Sequence, residues 1–460
     1  MIKTDVLLIG TGIMSATFAT IIKELNPDLK ILMVERLNSS AKESSFGLNN
    51  AGTGHSGFCE LNYNKEKAEF VNQEFIQSEL FWSYLINKEF INNSFIHTIP
   101  HISFVSGQEK VDFVKQRYLD LKESILFNDM EFTTDPEIIT KWIPLVMEGR
   151  DRNEIVGATK VNRGKDIDFG NLTNQLIKHL SSKGVRIKYN TDVTNIKKVG
   201  NTWIINCDVK NKQKQIQAKY VFNGAGGYAI NILQKSGIKE AKGYAGFPVS
   251  GQWFICDNPQ VVKQHEAKVY GKANIGTPPM SVPHLDTRVI NGTRCLLFGP
   301  YAGATTKFLK TGKGTDFFKS IRFNNIVSLI KAGITNIPLT KYLITEVMKD
   351  EDKKFESLKE FYPNADKNDW RLEKAGQRVQ VINNGIIEFG TEVVISEDKT
   401  FFTVLGASPG ASTAVSILSE MIEKNIGLSL NTLIPNFSDH PKDNLELFEI
   451  IKKKISILEH

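Results

Sequence analysis

The sequence predicts an α/β protein in which a Rossmann-like dinucleotide-binding domain is interleaved along the chain with an α+β substrate domain built on an antiparallel sheet. Three observations predict it. The first 35 residues hold a complete β-α-β unit with a glycine turn where its first strand enters its helix. Two more glycine turns follow apolar strands far downstream, at residues 221–227 and 406–412. Between them, residues 243–305 are rich in Gly, Pro, Val and Phe and alternate in short runs, the pattern of antiparallel strands.

Composition bounds the classes of function. The chain has 460 residues, 41% hydrophobic and 23% charged, which places it among soluble globular proteins of two to four domains. No apolar run approaches the roughly 20 residues that span a bilayer. The net charge of +6 is small for this length and has no basic block behind it. Nucleic acid is therefore not an expected partner, whereas anionic substrates or an anionic membrane surface fit. Cys59, Cys207, Cys256 and Cys295 are scattered with no Cys-x-x-Cys pair. No metal site is expected from them, and a reduced, intracellular compartment is. The N-terminus has no signal-peptide plan.

The elements follow in order. Val6-Leu-Leu-Ile9 reads as a buried parallel strand that stops at Gly10. A helix is expected over residues 16–25, ended by Asn26-Pro-Asp28, and a strand at Ile31-Leu-Met-Val34. Residues 44–64 read as a long functional loop or an irregular helix entry, 66–90 as helix, 168–180 as helix and 185–189 as strand. A strand meander is expected over 193–222, and 314–374 read mostly as helices. A strand at 401–405 leads through the third glycine turn into a helix over 413–424. The expected partition assigns 1–84, 156–242 and 375–430 to the dinucleotide domain. It assigns 85–155 and 243–374 to the substrate domain, and 431–460 to a tail.

The N-terminal turn carries the first chemistry. In Gly10-x-Gly12-x-x-Ser15 the first glycine permits the tight turn and the second lets a pyrophosphate approach the backbone. The third position needs only a small residue where the helix packs on the sheet. Glu35 lies 20 residues after Ser15, the spacing of a carboxylate that binds a ribose hydroxyl and repels a 2′-phosphate. Spacing alone leaves FAD and NAD open. The motif at one end of the chain and a helix entry at Gly406-Ala-Ser408-Pro-Gly410-Ala411-Ser412 near the other favour a flavin enzyme, with a helix dipole near the flavin's pyrimidine edge.

Longer strings then become specific. Asp5 to Thr17, Asn49-Asn-Ala-Gly-Thr-Gly-His55 and Cys59-Glu-Leu-Asn-Tyr63 resemble the malate:quinone oxidoreductases. So do Val161-Asn-Arg-Gly164, Pro248-Val-Ser-Gly-Gln252, Val269-Tyr-Gly-Lys272 and Thr277-Pro-Pro-Met-Ser-Val-Pro-His284-Leu-Asp-Thr-Arg288. The series closes with Leu297-Phe-Gly-Pro-Tyr301, Ala375-Gly-Gln-Arg378-Val-Gln380 and Leu405 to Thr413, so the resemblance runs from residue 5 to about 424. It implies a fold of the D-amino-acid-oxidase-like class, FAD as cofactor, (S)-malate as hydride donor, oxaloacetate as product and a membrane quinone as acceptor. It also implies a cytoplasmic protein held peripherally at the inner face of the cell membrane. The expected cofactor-binding residues are Gly10, Gly12, Ser15, Glu35, Arg36, Gly52, Thr53, Gly54, Val193, Gly224, Gly226, Ser408, Gly410, Ala411 and Ser412.

Oxidising a 2-hydroxy acid moves a hydride from C2 and a proton from the hydroxyl, and a neutral His is the usual base near pH 7. His284 is the expected base, with Asp286 or Arg288 beside it, and His55 the expected flavin-side or substrate-side partner. Two carboxylates call for two cations, and Arg grips a carboxylate bidentately. Arg288 and Arg378 are the leading candidates, ahead of Arg163, Lys272 and Lys307. Other readings are an FAD-dependent 2-hydroxyglutarate-like or amino-acid oxidase, an NAD-linked dehydrogenase and a flavin-binding scaffold without turnover. At the C-terminus, Phe448, Ile451, Ile455 and Leu458 have helical spacing around Lys452-Lys-Lys454. That helix suits either an anionic interface or packing on the protein.

Overall fold

The computed structural model describes residues 1–272, 283–337, 345–388, 390–406 and 410–459. A parallel sheet forms from the segments that begin and end the first 424 residues. Its order is Thr391–Ile395, Phe401–Gly406, Lys212–Asn223, Ile2–Ile9, Ile31–Val34 and Arg186–Lys188. The four pairings from Phe401–Gly406 onward are parallel, and Thr391–Ile395 pairs antiparallel at the edge. Val6 to Ile9 lie between Ile31–Val34 and Tyr220–Asn223, so three apolar strands end in register. The Gly10 N–H then donates to Val34 O and the Gly224 N–H to Ile9 O, which opens a crevice beyond the strand ends. The meander Thr191–Val199, Thr202–Val209 hangs on Lys212–Asn223.

Helices Ile13–Leu25, Phe169–Ser182 and Ala414–Ile426 cover one face of this sheet, with Lys65–Asn87 packed outside them. Ile13–Leu25 is apolar nearly all round because it is buried between sheet and helices, and Phe18 stacks on Phe222 of the strand below. The C-terminal helix Leu445–Ile455 joins the same core. Phe448, Ile451 and Leu458 are buried and Ile455 packs against them, so the tail's apolar stripe faces the protein and Lys452 and Lys453 face water.

The second sheet runs Ile386–Glu388, Trp370–Asn383, Tyr244–Cys256, Thr293–Ala304, His284–Ile290, Lys268–Tyr270, His101–Ser106, Val156–Val161 and Glu131–Thr133. It is antiparallel except where Lys268–Tyr270 meets His101–Ser106. Two expected boundaries move. Val156–Val161, placed by sequence with the cofactor segments, pairs with His101–Ser106 along six registers and belongs to the second sheet. The boundary at residue 375 falls inside Trp370–Asn383, whose long pairing with Tyr244–Cys256 continues on both sides of it through a bulge at Ser250/Gln252. A strand bonded along its whole length cannot be divided between two bodies. The chain then turns through Ile386–Glu388 and enters the first sheet at Thr391–Ile395, so the two sheets meet at this crossing.

One buried acid in the helical layer makes a pH prediction. Burial of Glu79 in helix Lys65–Asn87 raises its carboxyl from 4.5 to about 7, although Lys165 and Arg163 pull the other way. A carboxyl raised in the folded state stabilises below its unfolded value and loses that contribution as pH rises through 7. Glu79→Gln should therefore be more stable than wild type at pH 8, by on the order of 2 kcal/mol, with a much smaller gain at pH 5. Thermal unfolding at the two pH values checks it, and equal gains would contradict it.

Candidate active site

The crevice at the strand ends is lined by the residues that the glycine motifs mark. Gly10, Gly12, Glu35, Arg36, Gly52, Thr53, Val193, Gly224, Gly226, Gly410, Ala411 and Ser412 all line it. Gly10 has φ +91°, and a Cβ there would stand 2.6 Å from Gly224 O, so only glycine allows the two turns to touch. Helix Ile13–Leu25 has Gly12 at its N-cap with no side-chain cap, which leaves first-turn N–H groups for an anion. Ser45 Oγ accepts one of them, from Ile13, at 2.9 Å and keeps its own proton to donate. Glu35 is pinned on both oxygens: Thr11 N–H and Oγ1 donate to Oε2 at 3.0 Å and Leu37 N–H to Oε1 at 2.9 Å. A carboxylate has about four acceptor positions, so it retains capacity for ribose hydroxyls. Gln377 Oε1, buried in the same wall, has no hydrogen-bond partner among the described residues. A glycine cradle, a helix start whose N-cap glycine offers no side chain, a fixed carboxylate and an orphaned acceptor together fit an adenine dinucleotide with a polar ring system.

Two expected residues stand behind the crevice. Ser15 is buried under Gly224, where a Cβ on the glycine would fall 2.3 Å from its hydroxyl, the close helix–strand approach that its small size permits. Gly54 packs against Phe75 and donates its N–H to Lys165 O. Ser408 lies outside the described residues.

A cavity of about 740 Å³ continues from the crevice, and Ala51, His55, Arg378 and Thr391 line both spaces. Two histidine–carboxylate pairs face into it. His284 Nδ1 lies 2.8 Å from Asp286 Oδ2, Tyr270 stacks on the ring at 4.3 Å and 6°, and Trp253 closes its other side edge-on at 5.3 Å. An ionised carboxylate only accepts, so Nδ1 carries the proton and Nε2 is the basic nitrogen. Burial alone would raise the Asp286 carboxyl, but His284 and Lys268 bring it down to about 2, so it is charged at neutral pH. His55 Nδ1 lies 2.6 Å from Glu60 Oε1. There too burial is outweighed, chiefly by His55, and the Glu60 carboxyl falls below its ordinary value.

Arg378, on strand Trp370–Asn383, stands where crevice and cavity join. Burial lowers its pKa, and among the described residues no carboxylate lies within ion-pair distance of it. A guanidinium without a counter-ion at a cavity wall is a receptor for an anion.

Arg288 is corrected. It is fully buried, pairs with Asp166 Oδ1 at 2.7 Å through Nε, and donates to the carbonyls of Gly47, Asn50 and Ile167. It lines neither space, so it holds the loop beneath the crevice and not a substrate carboxylate. A Cβ on Gly52, at φ +60°, would stand 2.3 Å from its guanidinium carbon, which explains the glycine. Arg163 pairs with Asp129 and covers Phe58, Lys272 lies over Phe113, and neither these nor Lys307 line the cavity. Composition did not single out Lys268, which is fully enclosed. It pairs with Asp166 at 2.9 Å and Asp286 at 3.6 Å and donates to Ala51 O. It stands one residue before the string Val269-Tyr-Gly-Lys272, so adjacency alone signals it. Tyr270 and Glu60, from the quoted strings, were likewise unassigned.

The whole chain aligns with known proteins. The family model described as Malate:quinone oxidoreductase (Mqo) matches residues 2–457. A probable malate:quinone oxidoreductase of Lysinibacillus sphaericus is 47% identical over 477 aligned positions, covering 98% of this chain and 97% of that one. A second, from Pseudomonas aeruginosa, is 48% identical and covers 91% and 87%. Among solved structures, the dithionite-reduced L-alpha-glycerophosphate oxidase from Mycoplasma pneumoniae, with FAD bound, superimposes with a TM-score of 0.62 at 19% identity, over 92% of this chain and 94% of that one. L-proline dehydrogenase from P. horikoshii gives 0.63 at 15% identity, over 94% and 96%. At these identities the structural likeness speaks for the fold.

The enclosed charges generate the prediction here. Asp166→Asn leaves Lys268 and Arg288 without their shared partner and should cost on the order of 3 kcal/mol in denaturant unfolding. The Asp286 contribution is complete above 3.8 and is lost as pH falls towards 2, so Asp286→Asn should unfold less steeply with acid across that window. A wild-type acid profile in that variant would contradict the assignment.

Proposed function

The chain belongs to the malate:quinone oxidoreductase family, and on that premise we propose how its residues divide the work. The enzyme is a flavin-dependent malate dehydrogenase of the tricarboxylic acid cycle that oxidises (S)-malate to oxaloacetate and passes the electrons to a quinone. The observation that carries the residue assignment is the junction of the two spaces. There a guanidinium without a counter-ion and a histidine backed by a buried carboxylate face the same cavity.

The residues that would hold FAD are those of the crevice. Glu35 takes the ribose, the turn from Gly10 to Gly12 with Ser45 and the helix start takes the pyrophosphate, and Gly410 to Ser412 at the entry of Ala414–Ile426 takes the ring system. When bound, FAD supplies the hydride acceptor for malate C2 and the two-electron store emptied by the quinone. The protein's own task is then the proton and the geometry. Arg378 receives one malate carboxylate, and its position beside both spaces fixes C2 towards the crevice. His284 accepts the hydroxyl proton at Nε2, and Asp286 offsets the positive charge that appears on the ring. Tyr270 and Trp253 keep the imidazole from turning. His55, held by Glu60, with the Tyr63 hydroxyl, which burial keeps protonated, faces the second carboxylate.

The acceptor sets the location. Quinones reside in the bilayer, and among the described residues no helix is long and apolar enough to cross it. We therefore assign the enzyme a peripheral contact with the inner face of the cell membrane, on the cytoplasmic side where malate and oxaloacetate are found.

His284→Ala should keep its flavin and lose roughly 100-fold or more in the rate at which malate bleaches it under anaerobic stopped flow. Bleaching near the wild-type rate would remove His284 as base. Arg378→Ala should raise the malate KM by 10- to 100-fold, on the scale of about 1.5–3 kcal/mol for a charged hydrogen bond. An unchanged KM would move the carboxylate elsewhere.

A further inference from the structure

Helix Ile326–Thr335 is built the wrong way round for a soluble surface. Its inward side carries Ser328 and Ala332, which are buried, while the large apolar residues point out. Phe323 is wholly exposed, and Val327, Ile330, Ile334 and Ile337 are each more than half exposed. Within the helix Val327, Ile330 and Ile334 recur at helical spacing and form one stripe, and Phe318, Phe323 and Ile337, all more than half exposed, flank it along the chain. Exposed apolar groups of this continuity mark an interaction surface.

The chemistry around the stripe selects the partner. Between residues 305 and 337 six basic residues stand against one acid, Asp316, which is buried. Lys307, Lys310, Lys313, Lys319, Arg322 and Lys331 are all exposed. This one segment therefore concentrates nearly all of the chain's net charge of +6. A symmetric contact with a second copy would bring two such basic rims together, which like charges disfavour. An anionic bilayer meets both features at once, taking the stripe into its acyl boundary and pairing its headgroups with the cations.

The helix is also fixed to the part of the fold that reaches the cavity. Leu329 packs with Ile382 and Ile387, Ser328 Oγ accepts the Gly385 N–H at 2.8 Å, and Lys331 reaches Asn384 O. These residues belong to the hairpin formed by Trp370–Asn383 and Ile386–Glu388, and Gln380 and Glu388 of that hairpin line the cavity with Arg378. Ile386, more than half exposed, continues the apolar surface at the hairpin tip.

We propose that the exposed apolar residues from Phe318 to Ile337, centred on helix Ile326–Thr335, together with the basic residues Lys319, Arg322 and Lys331 of the same stretch, form the surface that docks the enzyme on an anionic lipid bilayer. The C-terminal helix has already spent its apolar stripe on the core and is not that surface. The inference rests on the reading that the acceptor is a bilayer quinone, and its test separates the two. Full-length holoenzyme is co-sedimented with phosphatidylcholine vesicles with and without phosphatidylglycerol, as wild type and as the double variant Ile330→Asp, Ile334→Asp. Both positions are exposed, so flavin content and malate oxidation with a short-chain, water-soluble quinone should stay at wild-type level. Binding to the phosphatidylglycerol vesicles should fall at least roughly 10-fold in the variant, and wild-type binding should weaken with salt. Turnover with a long-chain quinone embedded in those vesicles should fall in parallel. Wild-type vesicle binding by the variant would overturn the proposal. So would a wild-type dimer that the variant splits while neither form binds vesicles. Failure of the wild type to oxidise malate with the soluble quinone would strike the functional reading and leave the docking result standing.

Discussion

Two acids and two bases enclosed together hold this enzyme's working parts in place. Asp166, Asp286, Lys268 and Arg288 are all fully buried, and each acid contacts at least one of the bases. Isolated charges of this kind are very costly to bury, so each is tolerable only with its partners present. The cluster reaches across chain segments that would otherwise be independent. Arg288 and Lys268 hold the carbonyls of the loop under the crevice, from Gly47 to Ala51, and Asp286 turns its other side to His284. The loop under the crevice and strand His284–Ile290 are thus fixed to one another by the same charges. The arrangement makes the position of the His284 ring depend on charges that do not line the cavity.

The seam between the two sheets is where chemistry is placed. The first sheet ends its parallel strands together and leaves a crevice, as a doubly wound sheet must. The second sheet supplies a wall of side chains from His284, Tyr270 and Arg378, on strands that are bonded along their length and therefore rigid. Arg378 lies on the strand that carries the chain from one sheet towards the other, which lets one residue face both spaces. The same hairpin carries the outward apolar helix on its far side. The crevice, the cavity and the proposed docking helix are thus linked through one short stretch of strand.

What the sequence made legible was local. Gly10, Gly12 and Glu35 follow from a spacing within one β-α-β unit, and the crevice formed around them. His284 was marked by its motif string, with Asp286 only two residues away. Arg288 was misjudged because its meaning depends on Asp166, which is distant in sequence and meets it only after the second sheet forms. A charged residue in a quoted string looks the same whether it binds a substrate or braces a loop. The sheet boundaries were missed for a related reason. Val156–Val161 has no pattern of its own that says which sheet it joins, and hydrogen bonding to His101–Ser106 decides it. The described residues between 314 and 369 form mainly helices as the spacing predicts, with a strand from Trp370 on, but hydrophobic spacing does not say whether a stripe faces a core or water. For the C-terminal helix the stripe faces in, and for Ile326–Thr335 it faces out.

If His284, aimed by Asp286, takes the proton while Arg378 holds the carboxylate, as proposed, one bound substrate must reach both side chains. A structure of the holoenzyme with an unreactive malate analogue tests it most directly. The expected result is a carboxylate on the Arg378 guanidinium and the analogue's hydroxyl within hydrogen-bond distance of His284 Nε2. A hydroxyl directed at His55, with Arg378 left without a carboxylate, would contradict it.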